Sequence, residues 1–278
     1  MAFLDHEVEV GAAHRVGGPL PSGWELLLDD RGSELAGWFV GEVAAPFLRA
    51  TSPSRFRDWR LDRRTRRPSG PQAREFYRNP LYHWPNFRVI LSELALAPDD
   101  NLLEVGCGGG AFLREALRSG CRAGAVDHSP DMVRLAREVN ADAIADGRLE
   151  IIEADAARLP FPDATFTRAA MTGVLGFLSD PVAVFREIRR VLSQGGRLVV
   201  LGSDPAWRGT PAAPEPMASQ LRFHEDEELE QLARAAGLAN IRVERRELAR
   251  HAREAGVPKE HMSLFEGSRA PFLLARSS

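Results

Sequence analysis

One stretch of the sequence is dense in glycine: Glu104-Val105-Gly106-Cys107-Gly108-Gly109-Gly110, set between an apolar run and a segment of helical spacing. Glycines accept positive φ and let a ligand approach the backbone, and a helix start beside them offers unpaired N–H groups. Gly106, Gly108 and Ala111 also satisfy the G-x-G-x-x-G/A dinucleotide fingerprint, so the turn alone does not decide which ligand it serves. Three further features bear on that choice. Asp127 closes a second apolar run 23 residues after Glu104, where a carboxylate can accept hydrogen bonds from both hydroxyls of a ribose. Asp155-Ala156 closes a third; the acid can accept from an adenine amino group, and the small neighbour leaves room for the ring. The passage Val191-Leu192-Ser193-Gln194-Gly195-Gly196-Arg197-Leu198-Val199-Val200 runs from a helix through a Gly-Gly turn into a strand.

Such residues act together only if a scaffold brings their strand ends to one side. Residues 102–105, 121–126, 149–154, 166–171 and 197–201 are short apolar runs ended by glycine, acids or turn residues, and read as strands. Between them, residues 111–118 and 181–192 carry apolar side chains at helical spacing. So does a helix opened by Ser129-Pro130, whose Met132, Val133, Leu135, Ala136 and Val139 form one stripe. A helix over 86–97 leads into the first strand, and the acids of 225–230 open another that runs to Gly237 and complement its dipole. Residues 241–248 and 271–275 read as two closing strands. The alternation predicts an α/β fold: a doubly wound, mostly parallel sheet with helices on both faces and an antiparallel pair at its edge. Residues 1–75 read separately, as an N-terminal cap or accessory segment ahead of a domain over 76–278. Stretches 24–28 and 38–43 are its candidate strands, and Pro68-Ser69-Gly70-Pro71 is its linker.

With these elements in order, residues from about 86 to 276 resemble a class I S-adenosylmethionine-dependent methyltransferase of the small-molecule type. Glu104 to Gly110 matches that family's first motif, E/D-x-G-x-G-x-G. Asp127 matches the acid ending its second strand, and Asp155 the acid after its third. "RVLSQGGRLVV" is similar to its "RVLKPGGRLVV", with Ser193 and Gln194 in place of Lys and Pro. The resemblance implies a seven-stranded Rossmann-like sheet, S-adenosyl-L-methionine as cofactor and S-adenosyl-L-homocysteine as product. It implies that Gly106, Cys107 and Gly108 border the methionine portion, with Glu104 reaching its amino group through water or backbone. Asp127 would hold the ribose, His128 and Met132 would flank the adenine, and Asp155 and Ala156 would meet its edge. Met171 and Thr172 would face the sulfonium, core packing being the competing reading for Met171.

Two departures bear on the acceptor. Where many small-molecule members carry Leu-x-His after the fourth strand, this chain has Leu175-Gly176-Phe177, so no base carries over from there. It also lacks Asp/Asn-Pro-Pro-Tyr/Phe at that strand end, which argues against adenine and glutamine amino groups as acceptors. The remaining candidate bases are His83, in Tyr82-His83-Trp84, and His224, at the start of the acidic helix. Tyr77, Tyr82 and Trp84 are candidates for a lid over the cofactor, with packing at a domain junction as the alternative.

Composition narrows the classes further. The chain has 278 residues, 36 basic and 39 acidic, a net charge of −3, so a polycation that coats nucleic acid is not expected. Between Arg55 and Arg67, however, seven arginines face Asp58 and Asp62. This run supports an alternative RNA or protein methyltransferase, against the plainer reading of a solvated face. A nicotinamide-dependent oxidoreductase is opposed by Glu104, Asp155 and the Gly-Gly passage; a non-catalytic cofactor-binding module is a third alternative. Two cysteines make neither a disulfide framework nor a four-cysteine zinc site. With no signal-peptide pattern and no apolar run of membrane length, a cytoplasmic protein acting on a small molecule is expected, of undefined oligomeric state.

Overall fold

The computed structural model describes residues 66–278 apart from positions 211, 216 and 268; the candidate strands at 24–28 and 38–43 and most of the 55–67 arginine run lie outside the described residues. Strands β1 (Asn101–Val105), β2 (Arg122–Asp127), β3 (Leu149–Glu153), β4 (Phe166–Met171) and β5 (Leu192–Leu201) run parallel. With β6 (Ala239–Glu247) and β7 (Arg269–Arg276) they form a seven-stranded sheet ordered β3-β2-β1-β4-β5-β7-β6. The antiparallel pair stands at the edge as expected, but its reversed strand is β7, one place in from the rim. Burial explains that order. Ala270 through Ala275 are all buried, as an interior strand requires, whereas β6 brings Arg242, Glu244 and Arg246 to the rim.

The helices are α1 (Pro71–Arg78), α2 (Trp84–Leu94), α3 (Ala111–Ala116), α4 (Pro130–Val139), α5 (Ala141–Ala145), α6 (Pro181–Val191), α7 (Asp226–Ala235) and α8 (Ala249–Ala255). One core joins α2, α3, α4 and α8 to the sheet through Phe87, Ile90, Phe112, Val133 and Ala252. The other packs α6 and α7 on the opposite face through Phe185, Ile188, Leu229 and Ala233. Local chemistry sets the helix starts. Ser129 caps α4 by accepting from Met132 N at 3.3 Å, and Asp180 caps α6 by accepting from Ala183 N at 3.0 Å. Glu225 and Glu228 form a capping box on α7. Strand five begins at Leu192, five residues before the expected position. The Gln194-Gly195-Gly196 turn lies inside it as a bulge, with Gly195 at φ 73° and a register shift against β4.

Helix α1 is seated on α4 by charge. Asp131 is buried and accepts from Gly70 N at 2.6 Å, from Arg74 at 3.0 Å and from Arg134. Arg78 pairs with Glu138 at 2.9 Å, and Ser129 Oγ donates to Pro68 O at 2.5 Å. The division expected between 75 and 76 falls inside this helix.

Candidate functional site

The sheet order reverses direction between β1 and β4, and in doubly wound sheets ligands bind beyond the strand ends at that switch point. Glu104 lies at this centre, in register with Ala125 of β2 and Ala170 of β4. Those alanines share its face of the sheet and leave room beside its carboxylate. Glu104 is buried, and its Oε2 has no hydrogen-bond partner. Burial, and then the charge of Asp127, push its carboxyl well above the usual range.

The turn after β1 is tied to β2. Gly106 N and Cys107 N both donate to Val126 O, at 2.8 and 3.0 Å, and Gly108 N donates to Asp127 Oδ2 at 2.8 Å. Asp127 Oδ1 accepts from Ser129 N at 2.8 Å. Burial raises the Asp127 carboxyl, and these two N–H bonds pull it partly back. Each of its oxygens keeps a lone pair for a further donor. The buried Cys107 thiol is pushed well up by burial, Asp127 and Glu104, which keeps it protonated and unreactive.

Helix α1 closes over this turn. Gly108 has φ 50°, and a Cβ there would lie 3.2 Å from Tyr77 Cδ1; a Cβ on Gly109 would lie 2.3 Å from Tyr77 O. Tyr77 therefore rests on the glycine turn, its phenol raised by burial and by the charge of Asp127. Gly109→Ala is expected to unseat α1 at a cost of about 1–3 kcal/mol. Faster amide exchange across 71–78 with the sheet still protected would be the signature; unchanged exchange would mean that α1 is not held by this contact.

The other candidates divide. Met132, expected beside an adenine, is wholly buried with Ala73, Leu135 and Tyr77 beneath α1. His128 is about half exposed, with Nδ1 4.0 Å from Asp127 Oδ1. Asp155 is exposed and accepts from Ala157 N at 2.9 Å, and Ala156 packs at the edge of the α6–α7 core. Met171 is fully buried in that same core, while Thr172 Oγ1 is shielded and unpartnered. His83 reaches the same strand end: a Cβ on Gly173 would lie 3.8 Å from its Cε1. Its ring stands 6.1 Å from Phe76, 6.2 Å from Tyr77 and 6.1 Å from Phe87, and burial lowers its pKa to about 4.

Tyr82 and Trp84 point elsewhere. Tyr82 Oη is 2.7 Å from His261 Nδ1, and Trp84 Nε1 donates to Asn79 Oδ1 at 3.0 Å with its ring against Phe87. His224 is bonded through its backbone N to Ser203 O at 2.8 Å, and its ring lines a shallow groove with Glu228, Gln231 and Leu232 of α7. Burial lowers its pKa, and its Nε2 is unpartnered. Asn86, which the sequence reading passed over as an ordinary helix residue, has a shielded and unpartnered Oδ1 one helical turn beyond His83. Among the described residues no group of three or more His, Cys, Asp or Glu could hold a metal ion, and no helix is long and apolar enough to cross a membrane.

Residues 103–200 match a family model described as a methyltransferase domain. The ubiquinone biosynthesis O-methyltransferase of Xanthomonas campestris pv. campestris is 30% identical over 131 residues, 46% of this chain and 52% of that protein. The sterol 4-C-methyltransferase of Caenorhabditis elegans is 30% identical over 111 residues, 40% of this chain and 33% of its own. The chain thus spans between a third and about half of the length of these curated relatives. In fold it is similar to the geranyl diphosphate C-methyltransferase of Streptomyces coelicolor A3(2), solved with S-adenosyl-L-homocysteine. That match has a TM-score of 0.55 at 19% identity and covers 69% of this chain and 77% of the other. A [4+2]-cyclase is similar to the same degree, with a TM-score of 0.54 at 22% identity over 69% of this chain and 80% of its own.

Proposed function

Because the chain carries a class I S-adenosylmethionine-dependent methyltransferase domain, we propose that it transfers a methyl group to a small organic acceptor at the end of β4, in the cytoplasm. The observation that carries this reading is the unpartnered Glu104 carboxylate at the switch point, close to a second buried acid, Asp127. Two carboxylates in a low dielectric fit a ligand that brings an ammonium group for one and ribose hydroxyls for the other. S-adenosyl-L-methionine has both, and when bound it supplies a sulfonium methyl already activated for transfer.

Glu104 would accept from the ammonium group. The free lone pairs of Asp127 would accept from the ribose while its other two keep Gly108 and Ser129 in place. The backbone of Gly106, Cys107 and Gly108 would border the ligand, with Tyr77 closing over them and excluding water. Asp155, Ala156 and the exposed His128 would frame the adenine; Met132 would support that wall from beneath α1. Thr172 would face the reacting centre, with Met171 fixing the strand end behind it. His83, neutral at pH 7, would take the acceptor's proton on an imidazole nitrogen. It gains its charge as the sulfonium loses one, so the cleft's net charge is conserved. His224, on the α7 groove, has no part in this scheme, and Tyr82 and Trp84 would hold the turn that carries His83. The segment before α1 is proposed to cap the acceptor side.

The names of the curated relatives, one for a sterol and others for ubiquinone biosynthesis, support a small-molecule acceptor. The cyclase neighbour is a reminder that one fold serves several reactions, so transfer itself has to be measured. Calorimetry should record binding of S-adenosylhomocysteine and not of NAD. Asp127→Asn should weaken that binding by about 10-fold, the share of one charge-assisted hydrogen bond. Preferential binding of NAD would sink the reading. Label from methyl-labelled S-adenosylmethionine should appear in a small-molecule fraction; label found only in RNA or protein would favour the alternative acceptors.

A further inference from the structure

Two unpartnered polar atoms neighbour His83, one on α2 and one at the end of β4. Asn86 follows His83 by three residues at the start of α2, and residues three apart on a helix are neighbours on one face. His83 lies against Gly173, and Thr172 precedes that glycine in the chain. Asn86 Oδ1 and Thr172 Oγ1 are both shielded from solvent without a hydrogen-bond partner. Buried polar groups are nearly always paired in native proteins, so two such atoms beside a desolvated imidazole mark a place completed by a ligand. The surroundings define that ligand. Phe76, Tyr77 and Phe87 stand around the imidazole, and Phe76 is the exposed large apolar side chain of the described residues. None of the described residues in contact with His83 here is a cation that would hold a phosphate or carboxylate.

We propose that Asn86 and Thr172 hold the acceptor, Thr172 Oγ1 donating to the oxygen to be methylated and Asn86 Oδ1 accepting from a hydroxyl beside it, and that the acceptor is an uncharged aromatic compound bearing adjacent phenolic hydroxyls. This rests on the methyl-transfer reading above and names the substrate class of that site. Asn86 Oδ1 needs a donor, which a phenol supplies and an ionised phosphate or carboxylate does not. The aromatic wall favours a flat apolar body. An ammonium group would add a second cation beside the sulfonium. Asn86 is a positioning residue here: it accepts from the neighbouring hydroxyl, which leaves the proton of the reacting one free to pass to His83 as the methyl group leaves the sulfonium.

The test uses the full chain saturated with S-adenosylhomocysteine and, as probes, catechol, benzoate, phenyl phosphate and benzylamine. Catechol is expected to bind at least 10-fold more tightly than each of the other three. Asn86→Leu should weaken catechol at least 10-fold, leave S-adenosylhomocysteine affinity within 2-fold, and leave the melting temperature of the ligand-free protein unchanged or higher. The last readout separates ligand binding from a structural role, because removing a shielded carbonyl oxygen that has no partner costs a folded protein nothing. Thr172→Val, close in shape, should likewise weaken catechol at least 10-fold and leave the melting temperature of the ligand-free protein unchanged or higher. Equal or tighter binding of an anionic or cationic probe, no catechol binding, or a lowered melting temperature with catechol affinity intact would each overturn the proposal. Failure of the parent protein to bind S-adenosylhomocysteine would instead defeat the methyl-transfer reading beneath it.

Discussion

Replacing Glu104 by glutamine is expected to stabilise the ligand-free protein by about 1–3 kcal/mol and to weaken S-adenosylhomocysteine binding by about 10- to 100-fold. The two effects share one origin. An unpaired carboxylate buried beside Asp127 costs free energy in the absence of a cation, and an ammonium group recovers that cost on binding. The sign of the pH dependence follows. A carboxyl whose folded pKa is raised holds its proton more tightly folded than unfolded. Its stabilising contribution is full below the unfolded pKa and is lost as pH rises through the folded one. The stability gap between Glu104→Gln and the parent should therefore widen from pH 5 to pH 8 in denaturant titrations. Ligand binding at pH 5 should release a proton, read as a dependence of the calorimetric heat on buffer ionisation, and the variant should lose that release. A variant that is less stable yet binds with unchanged affinity would make Glu104 a structural acid.

The sheet was legible because parallel strands buried on both faces are written as unbroken apolar runs. β4 spans 166–171 as its sequence implies, and β1, β2 and β3 lie within a residue or so of expectation. The strand-end placing of Glu104, Asp127 and Asp155 was legible too, because the topology puts an acid there at predictable spacing. What stayed hidden depends on contacts between distant residues. Nothing local to Gly70, Arg74 or Arg78 announces Asp131 and Glu138 about sixty positions away, so the eight-residue helix that begins at the last residue of the Pro-Ser-Gly-Pro linker was not foreseen. That omission explains the assignment of Met132: its type and place suit an adenine wall, but α1 covers it. Likewise, no periodicity tells that β7 inserts between β5 and β6. The number of apolar residues in 270–275 was the available signal, since six buried in succession suit no rim strand. Asn86 gave no signal at all, because an asparagine in a helix becomes informative only when its partners are seen to be missing.

His83→Gln is expected to remove an acid-labile element of the fold and most of the rate of transfer. Burial lowers the imidazole pKa from 6.5 to about 4, so the unfolded chain binds a proton there between those values and the folded chain does not. The folded state's advantage is intact above pH 6.5 and falls as pH drops toward 4, by about 2 kcal/mol between pH 7 and pH 5 at 1.36 kcal/mol per unit. His224, lowered by burial as well, adds in the same direction, so the variant should lose only the share of His83. Denaturant titrations at pH 7 and pH 5 measure that difference; equal acid sensitivity in parent and variant would show that His83 is already protonated or solvated in the fold. The rate carries the second half of the argument. A positioned base contributes about 10²- to 10⁴-fold, and the variant should lose that factor at pH 7 while keeping its affinity for S-adenosylhomocysteine. With a phenolic acceptor the loss should shrink as pH rises toward about 10, where a phenol ionises without help. The parent should stay active well below pH 6.5, because its imidazole is still neutral there. A loss of the same size at every pH would mean that His83 orients the acceptor but does not take its proton.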